Sequence, residues 1–217
     1  MRRGLTVRDG ISRLPGMTAS TVSTSIRKAQ PGDIAVAAEV MADAFFDDPV
    51  FRWCIPDDER RVAILPAFFS LVGATLLPYD ELHITGDGAG AAFWVPPGQP
   101  AAPPAASPAF EDRLAEMLAD DAERTFTVVE LLETNHPHDH HDYLWFLGVR
   151  AGRQGQGVGS ALLGSMLERS DGAGHAAYLE ATSDANRRLY ERHGFEVVKE
   201  LSVADCPSLW AMWRPAR

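Results

Sequence analysis

The chain has 217 residues, 46% of them hydrophobic and 23% charged, with a formal net charge of -10. That composition suits a globular protein long enough for one good core, and a single domain is expected. The acidic balance excludes a general binder of phosphate backbones, so no nucleic-acid partner is expected, and Cys54 and Cys206, far apart, make neither a disulfide framework nor a zinc motif.

The first 24 residues read as a disordered tail, with residues 25–217 as the folded domain. The stretch "TASTVSTS" (18–25) is small and polar and has little to bury. The leading "MRRGLTVRDGISRLPGM" carries the arginines of a signal peptide without its apolar segment, and Met1 and Met17 are both open as starts; the acidic composition fits a cytoplasmic protein. Order is expected from "SIRKAQPGD", a short strand and a turn. A helix from about Asp33 to Phe46 then sets Ile34, Ala37, Val40, Met41 and Ala44 on one side, with Asp33 as its cap. Val62–Tyr79 is uncharged but contains Pro66, Ser70, Gly73, Thr75 and Pro78, and it falls short of the ~20 apolar residues of a membrane span. It predicts a buried helix from near Asp57 to just before Pro78, and no membrane partner.

"ELHITGDGAGAAFWVP" (81–96) predicts a hairpin with a glycine-rich turn, and "PPGQPAAPPAASP" (96–108) a loop. Two helices follow, over 109–120 and 122–134. "HPHDHHD" leads into the aromatic strand "YLWFLGVR", and a glycine-rich loop opens a helix over about 156–170. A strand "HAAYLEA", a helix over 184–192 and strands near 195–203 and 208–214 complete the chain. Interleaved strands and helices give an α/β or α+β class with a mixed sheet.

The loop Gln154-Gly155-Gln156-Gly157-Val158-Gly159 stands between a strand and a helix. Glycines let successive amides converge, and the helix's free N–H groups and positive dipole end face the same space, so this is an anion site suited to a phosphate or pyrophosphate. Walker A is excluded because no Gly-Lys-Ser/Thr is present. A dinucleotide-binding reading is nearly met by Gly155-x-Gly157-x-x-Ser160, with Glu180 where a ribose-binding acid would stand. Against it, the loop lies late in the chain and starts well after the strand ends.

A third reading fits better. Gln154, Gly157 and Gly159 in Q-x-x-G-x-G order, after a strand ending "LGV", resemble the GNAT superfamily of acyl-CoA-dependent N-acetyltransferases. The segment "YLEATSDANRRLYERHGFEVV" (178–198) is similar to that family's closing strand, Asn- and Tyr-bearing helix and "GF". The combination is particularly similar to the puromycin N-acetyltransferase-like branch. The resemblance implies a single GNAT-like domain, with a mixed, mostly antiparallel sheet of about six to seven strands flanked by helices.

It also implies acetyl-CoA as the acetyl donor and no metal. The CoA pyrophosphate would lie on the backbone amides of Gln154, Gly155, Gly157, Gly159 and Ser160, with Arg153 as a charge partner. The strand Leu147–Val149 would pair with the pantetheine arm, an amide near Leu147 would polarise the thioester carbonyl, and Asn186 would touch CoA. Tyr190 matches the family's general acid, which protonates the departing thiolate. The attacking amine needs a base: Glu180 is the first choice, His138, His140 and His141 the second, Glu130 and Glu133 the third. The joint "AFFDDPVFRWCIPD" (44–57) is expected to build an aromatic acceptor pocket from Phe45, Phe46, Phe51 and Trp53, with a carboxylate, Asp48 beside Asp47, attracting an ammonium. The implied reaction is acetyl transfer to a primary amine of a small molecule. A protein N-acetyltransferase and a non-catalytic acyl-CoA-binding module are the alternatives, and monomer and homodimer both stay open.

Overall fold

Seven strands in the order β1-β2-β3-β4-β5-β7-β6 form one sheet in the computed structural model, which describes residues 25–99 and 108–217. The strands are β1 (Ile26–Lys28), β2 (Leu82–Thr85), β3 (Gly90–Val95), β4 (His141–Val149), β5 (Ala176–Ala181), β6 (Glu196–Leu201) and β7 (Leu209–Arg214). Every pairing is antiparallel except β4 with β5. The expected tail (residues 1–24) and most of the proline-alanine loop lie outside the described residues.

The helices are α1 (Ile34–Phe45), α2 (Pro49–Cys54), α3 (Asp58–Leu76), α4 (Pro108–Leu118), α5 (Ala122–Asn135), α6 (Val158–Ala173) and α7 (Asp184–Arg192). The sheet divides the core. On one face Val40, Met41, Leu65, Phe69 and Val72 of α1 and α3 pack with Ile84, Phe93 and Tyr143. On the other, Val158, Leu162, Leu163 and Met166 of α6 pack with Trp94, Leu144 and Leu179. Gly148 allows the first contact to be tight, because a Cβ there would stand 2.7 Å from Met41 Sδ. The apolar segment expected as a buried helix is α3, capped by Asp57, whose Oδ1 accepts from the Arg60 amide at 2.8 Å. It is long and apolar enough to cross a membrane, and here it carries much of the core.

One local expectation is corrected. Asp33 does not cap α1: its carboxylate accepts the Gln30 amide at 2.8 Å and both guanidinium nitrogens of Arg27, closing the 3-10 turn Pro31–Asp33 instead.

The feature that positions the site is a split in the sheet. β3 pairs β4 as far as Gly90↔Val149, but β5 pairs β4 only as far as Leu144↔Leu179. The register shifts between Phe93↔Phe146 and Trp94↔Leu144, which makes Trp145 the extra residue of a bulge. Trp145 and Phe146 both turn toward the α1–α3 face as a result. Beyond the bulge the edge of β4 that would meet β5 is open, and β5 continues through Glu180 and Ala181 with only β7 beside it.

Candidate active site

Two cavities meet at this split. One, of about 380 Å³, lies among α2, α4, α5 and β4; the other, of about 470 Å³, lies between the end of β4 and the start of α6. Phe45, Leu147, Asn186 and Tyr190 line both.

The second cavity is built by the glycine loop. Gly155 and Gly157 hold φ of 71° and 84°, the left-handed region that a side chain makes costly. Gly157 is the residue before α6, and no side chain caps the helix there. Among the described residues, the first backbone bond into α6 runs from the Ala161 amide to Gly157 O at 2.9 Å, so the preceding amides are free for a ligand. The loop's side chains fasten it from outside. Gln154 Nε2 donates to Val149 O at 3.2 Å and Gln156 Nε2 to Gly152 O at 3.1 Å. Arg153 donates to Asp87 at 2.8 Å, and Ser160 Oγ lies 2.9 Å from His193 Nε2. Leu147, Val149, Arg153, Gln154, Gly155, Gly157, Gly159, Ser160 and Asn186 all line this one cavity, joined by Leu189 and Arg192, which the motif does not mark. Arg153 therefore serves first as the clamp on the β2–β3 turn.

At the junction, Tyr190 is 7% exposed and packs on Phe195, with ring centroids 6.1 Å apart. Burial, with the charge of Asp48 added, raises its pKa, so the phenol keeps its proton. Glu180 lines the first cavity. Its Oε2 accepts from the Tyr143 hydroxyl at 2.8 Å, while its Oε1 is buried without a partner. Burial pushes the Glu180 carboxyl up to about 7, against the pull of the neighbouring Tyr143 and Tyr178 hydroxyls. Sequence reasoning missed Tyr143. Its role comes from the parallel register Tyr143↔Tyr178, which sets a β4 tyrosine beside the β5 carboxylate face, and only the strand alternation around both hinted at it.

The expected acceptor pocket needs correction. Phe45 lines the first cavity, and so does Phe51. Phe46 and Trp53 do not line it. The Arg61 guanidinium lies over the Phe46 ring at 4.9 Å, and Trp53 Nε1 donates to Asp205 at 3.0 Å with Arg124 over its ring. Both rings are partly buried against the α1–α3 core rather than in the cavity wall. Asp48 lines the second cavity instead, and both of its oxygens are taken. Oδ1 accepts the Val50 amide at 2.9 Å and the Phe51 amide at 3.2 Å, capping α2, and Oδ2 accepts from the Thr182 hydroxyl. The carboxylates facing the first cavity are Glu111, Glu130, Glu133 and Glu180.

The histidines lie elsewhere. His141 is buried, its Nδ1 2.6 Å from Asp139 O and its Nε2 3.2 Å from His136 Nε2; His140 packs on His175. None of His138, His140 and His141 lines either cavity.

Residues 92–195 match the acetyltransferase (GNAT) family. An uncharacterised N-acetyltransferase of Schizosaccharomyces pombe is 28% identical, over 78% of this chain and 73% of its own length. A crystal structure from Corynebacterium glutamicum, described as histone acetyltransferase HPA2 and related acetyltransferase, is 28% identical with a TM-score of 0.69, over 90% of this chain and 98% of that one. Arylalkylamine N-acetyltransferase 2 from Aedes aegypti shares the fold at a TM-score of 0.62 and 14% identity, over 90% of this chain and 100% of its own.

Proposed function

With the chain an acetyltransferase of the GNAT superfamily, by its matched segment, its relatives and its fold, we propose that it moves an acetyl group directly from acetyl-CoA to a primary amine of a small molecule. The observation that carries this reading is the meeting of the two cavities at Tyr190, with the glycine loop on one side and Glu180 on the other. The loop amides and the α6 terminus would hold the pyrophosphate. The open edge of β4 would take the pantetheine arm as an added strand, and the amide near Leu147 would polarise the thioester carbonyl as its oxygen gains charge. Glu180, which lines the first cavity and is ionised above about pH 7, would accept a proton from the substrate ammonium. The neutral amine then forms the C–N bond while the C–S bond breaks. Tyr190 would give its proton to the departing thiolate, whose conjugate thiol has a pKa of about 8.5. The nitrogen sheds a second proton as the amide forms, which replaces the one Tyr190 gives to sulfur, and Glu180 passes the first to water, so one proton leaves overall.

The narrower likeness to the puromycin N-acetyltransferase-like branch belongs to this proposal, supported by the quoted strand and helix segments alone. So does a cytoplasmic setting, supported by the free thiols of Cys54 and Cys206. A thermal-shift comparison of acetyl-CoA, NADH and ATP tests the reading at the level of ligand class. Only acetyl-CoA should raise the melting temperature, by the equivalent of about 2.7 kcal/mol at a hundred times its Kd. A rise with NADH alone would return the loop to the dinucleotide reading.

A further inference from the structure

The acetyl-transfer reading leaves open which amine is accepted, and the first cavity bears on it. Phe45, Phe51, Phe68 and Phe146 form its aromatic wall, in tilted and edge-on pairs with centroids 5.3–6.4 Å apart. Its charged lining has one sign only. Glu111, Glu130 and Glu133 are exposed side chains of α4 and α5, and Glu180 stands on β5 with Oε1 buried and unpartnered. Among the described residues, no Lys, Arg or His lines the cavity.

The geometry points to an acceptor whose primary amine sits on an aromatic or branched hydrocarbon body and which carries no carboxylate or phosphate. The inference rests on the acetyl-transfer reading. Each part follows from a contact. A ring laid against the phenylalanine wall leaves water, which is worth roughly 10- to 150-fold in binding. An ammonium meets the exposed carboxylates of Glu111, Glu130 and Glu133 and the carboxylate of Glu180 on β5. An anionic group on the same molecule would be stripped of water beside carboxylates with no cation to receive it, a penalty of about 100-fold or more. The free amine of a hydrophobic compound and the corresponding α-amino acid differ by that group alone, so the pair isolates it.

The test uses the purified full chain with saturating acetyl-CoA and four acceptors: 2-phenylethylamine, phenylalanine, 2-aminoethanol and a lysine-bearing peptide. Thiol release gives the rate, and mass spectrometry identifies the amide. The expected result is a kcat/KM for 2-phenylethylamine about 100-fold or more above that for phenylalanine, and about 10-fold or more above those for 2-aminoethanol and the peptide. Glu133→Arg, which places a cation on the exposed α5 surface of the cavity, should narrow the first ratio about 10-fold, with the KM for acetyl-CoA unchanged. Phenylalanine, 2-aminoethanol or peptide turned over as well as 2-phenylethylamine would overturn the inference and leave acetyl transfer standing. A ratio unmoved by Glu133→Arg would overturn the exclusion of anions. Bound acetyl-CoA with no amide from any acceptor would overturn both readings.

Discussion

At the scale of single residues, Glu180 carries the sharpest expectation. Its carboxyl is held up near 7 by burial, and the one hydrogen bond to its Oε2 comes from Tyr143. A base must be ionised to act, so kcat/KM for the amine should rise with pH through about 7. Tyr143→Phe removes one of the two tyrosine hydroxyls, with Tyr178, that favour the carboxylate, so the same limb should move to higher pH, while Glu180→Gln should abolish it and lower the rate by about 10²-fold or more. A pH–rate profile identical in all three proteins would remove Glu180 from the mechanism. Stability gives a second readout. The folded state binds the proton more tightly than the unfolded chain, whose Glu has its ordinary value of 4.5. The contribution of this group is therefore full below 4.5 and is lost as pH rises through about 7. Glu180→Gln should accordingly raise the melting temperature at pH 8 relative to the parent, and add little at pH 5.

Some of this scale was legible in the sequence. Tyr190 and Asn186 are expected from the resemblance of "DANRRLYERHGF" to the closing helix of the GNAT superfamily, and both line the two cavities. Asp48 was misread, although Asp before Pro49 is itself a helix-start signal: a cap carboxylate with Pro at the first helical position. Phe46 and Trp53 were misread because adjacent aromatics announce burial without saying on which side of the joint they turn.

At the scale of elements, the loop and the joint behave differently under substitution. Gly157→Val would force a β-branched side chain to φ of 84° just before α6. Affinity for CoA measured by calorimetry should fall well over tenfold with the fold retained; unchanged affinity would remove the loop from the site. Gly159 differs, since a Cβ there meets Leu189 Cδ2 at an ordinary 3.4 Å and its φ is unstrained. The α1–α2–α3 joint depends on Arg61, which is 1% exposed. Its guanidinium donates to Phe46 O at 3.1 Å, Ile55 O at 2.7 Å and Pro56 O at 2.9 Å, so carbonyls at two chain reversals share one donor group. Arg61→Leu leaves those acceptors unsatisfied and should cost about 3 kcal/mol, or roughly 6–12 °C in Tm. A shift under 2 °C, on the order of a neutral surface change, would show that the joint holds without it. Besides Asp58, one turn back on α3, the partners of Arg61 are carbonyls brought together only by the fold, so nothing in the sequence distinguishes it from its neighbour Arg60.

At the scale of the whole molecule, most of the architecture was legible. Helical and strand periodicities, turn glycines and the βα order around the loop gave every strand, and every helix but α2, to within a few residues, as at α3 and α7. The split between β4 and β5 was not. It arises from one extra residue at Trp145 and from a parallel ladder that stops at Leu144↔Leu179, and both are properties of pairing between strands. The same limit hid the acceptor cavity, whose wall is assembled from α1, α2, α3 and β4. What the split produces is a junction of two cavities with Tyr190 lining both, where, on the proposed function, a thioester held from one side would meet an amine held from the other. The central claim is that Tyr190 delivers a proton to the leaving thiolate at that junction. Tyr190→Phe keeps the ring and removes only the hydroxyl, so a single comparison of thiol release by the parent and the variant, at saturating acetyl-CoA and amine, tests it. The account predicts a fall in kcat of roughly 10²–10⁴, nearer the lower figure because a thiolate leaves fairly well unaided, with the KM for acetyl-CoA unchanged. Turnover by the variant at the parent rate, with single-turnover kinetics excluding product release as the slow step, would contradict it.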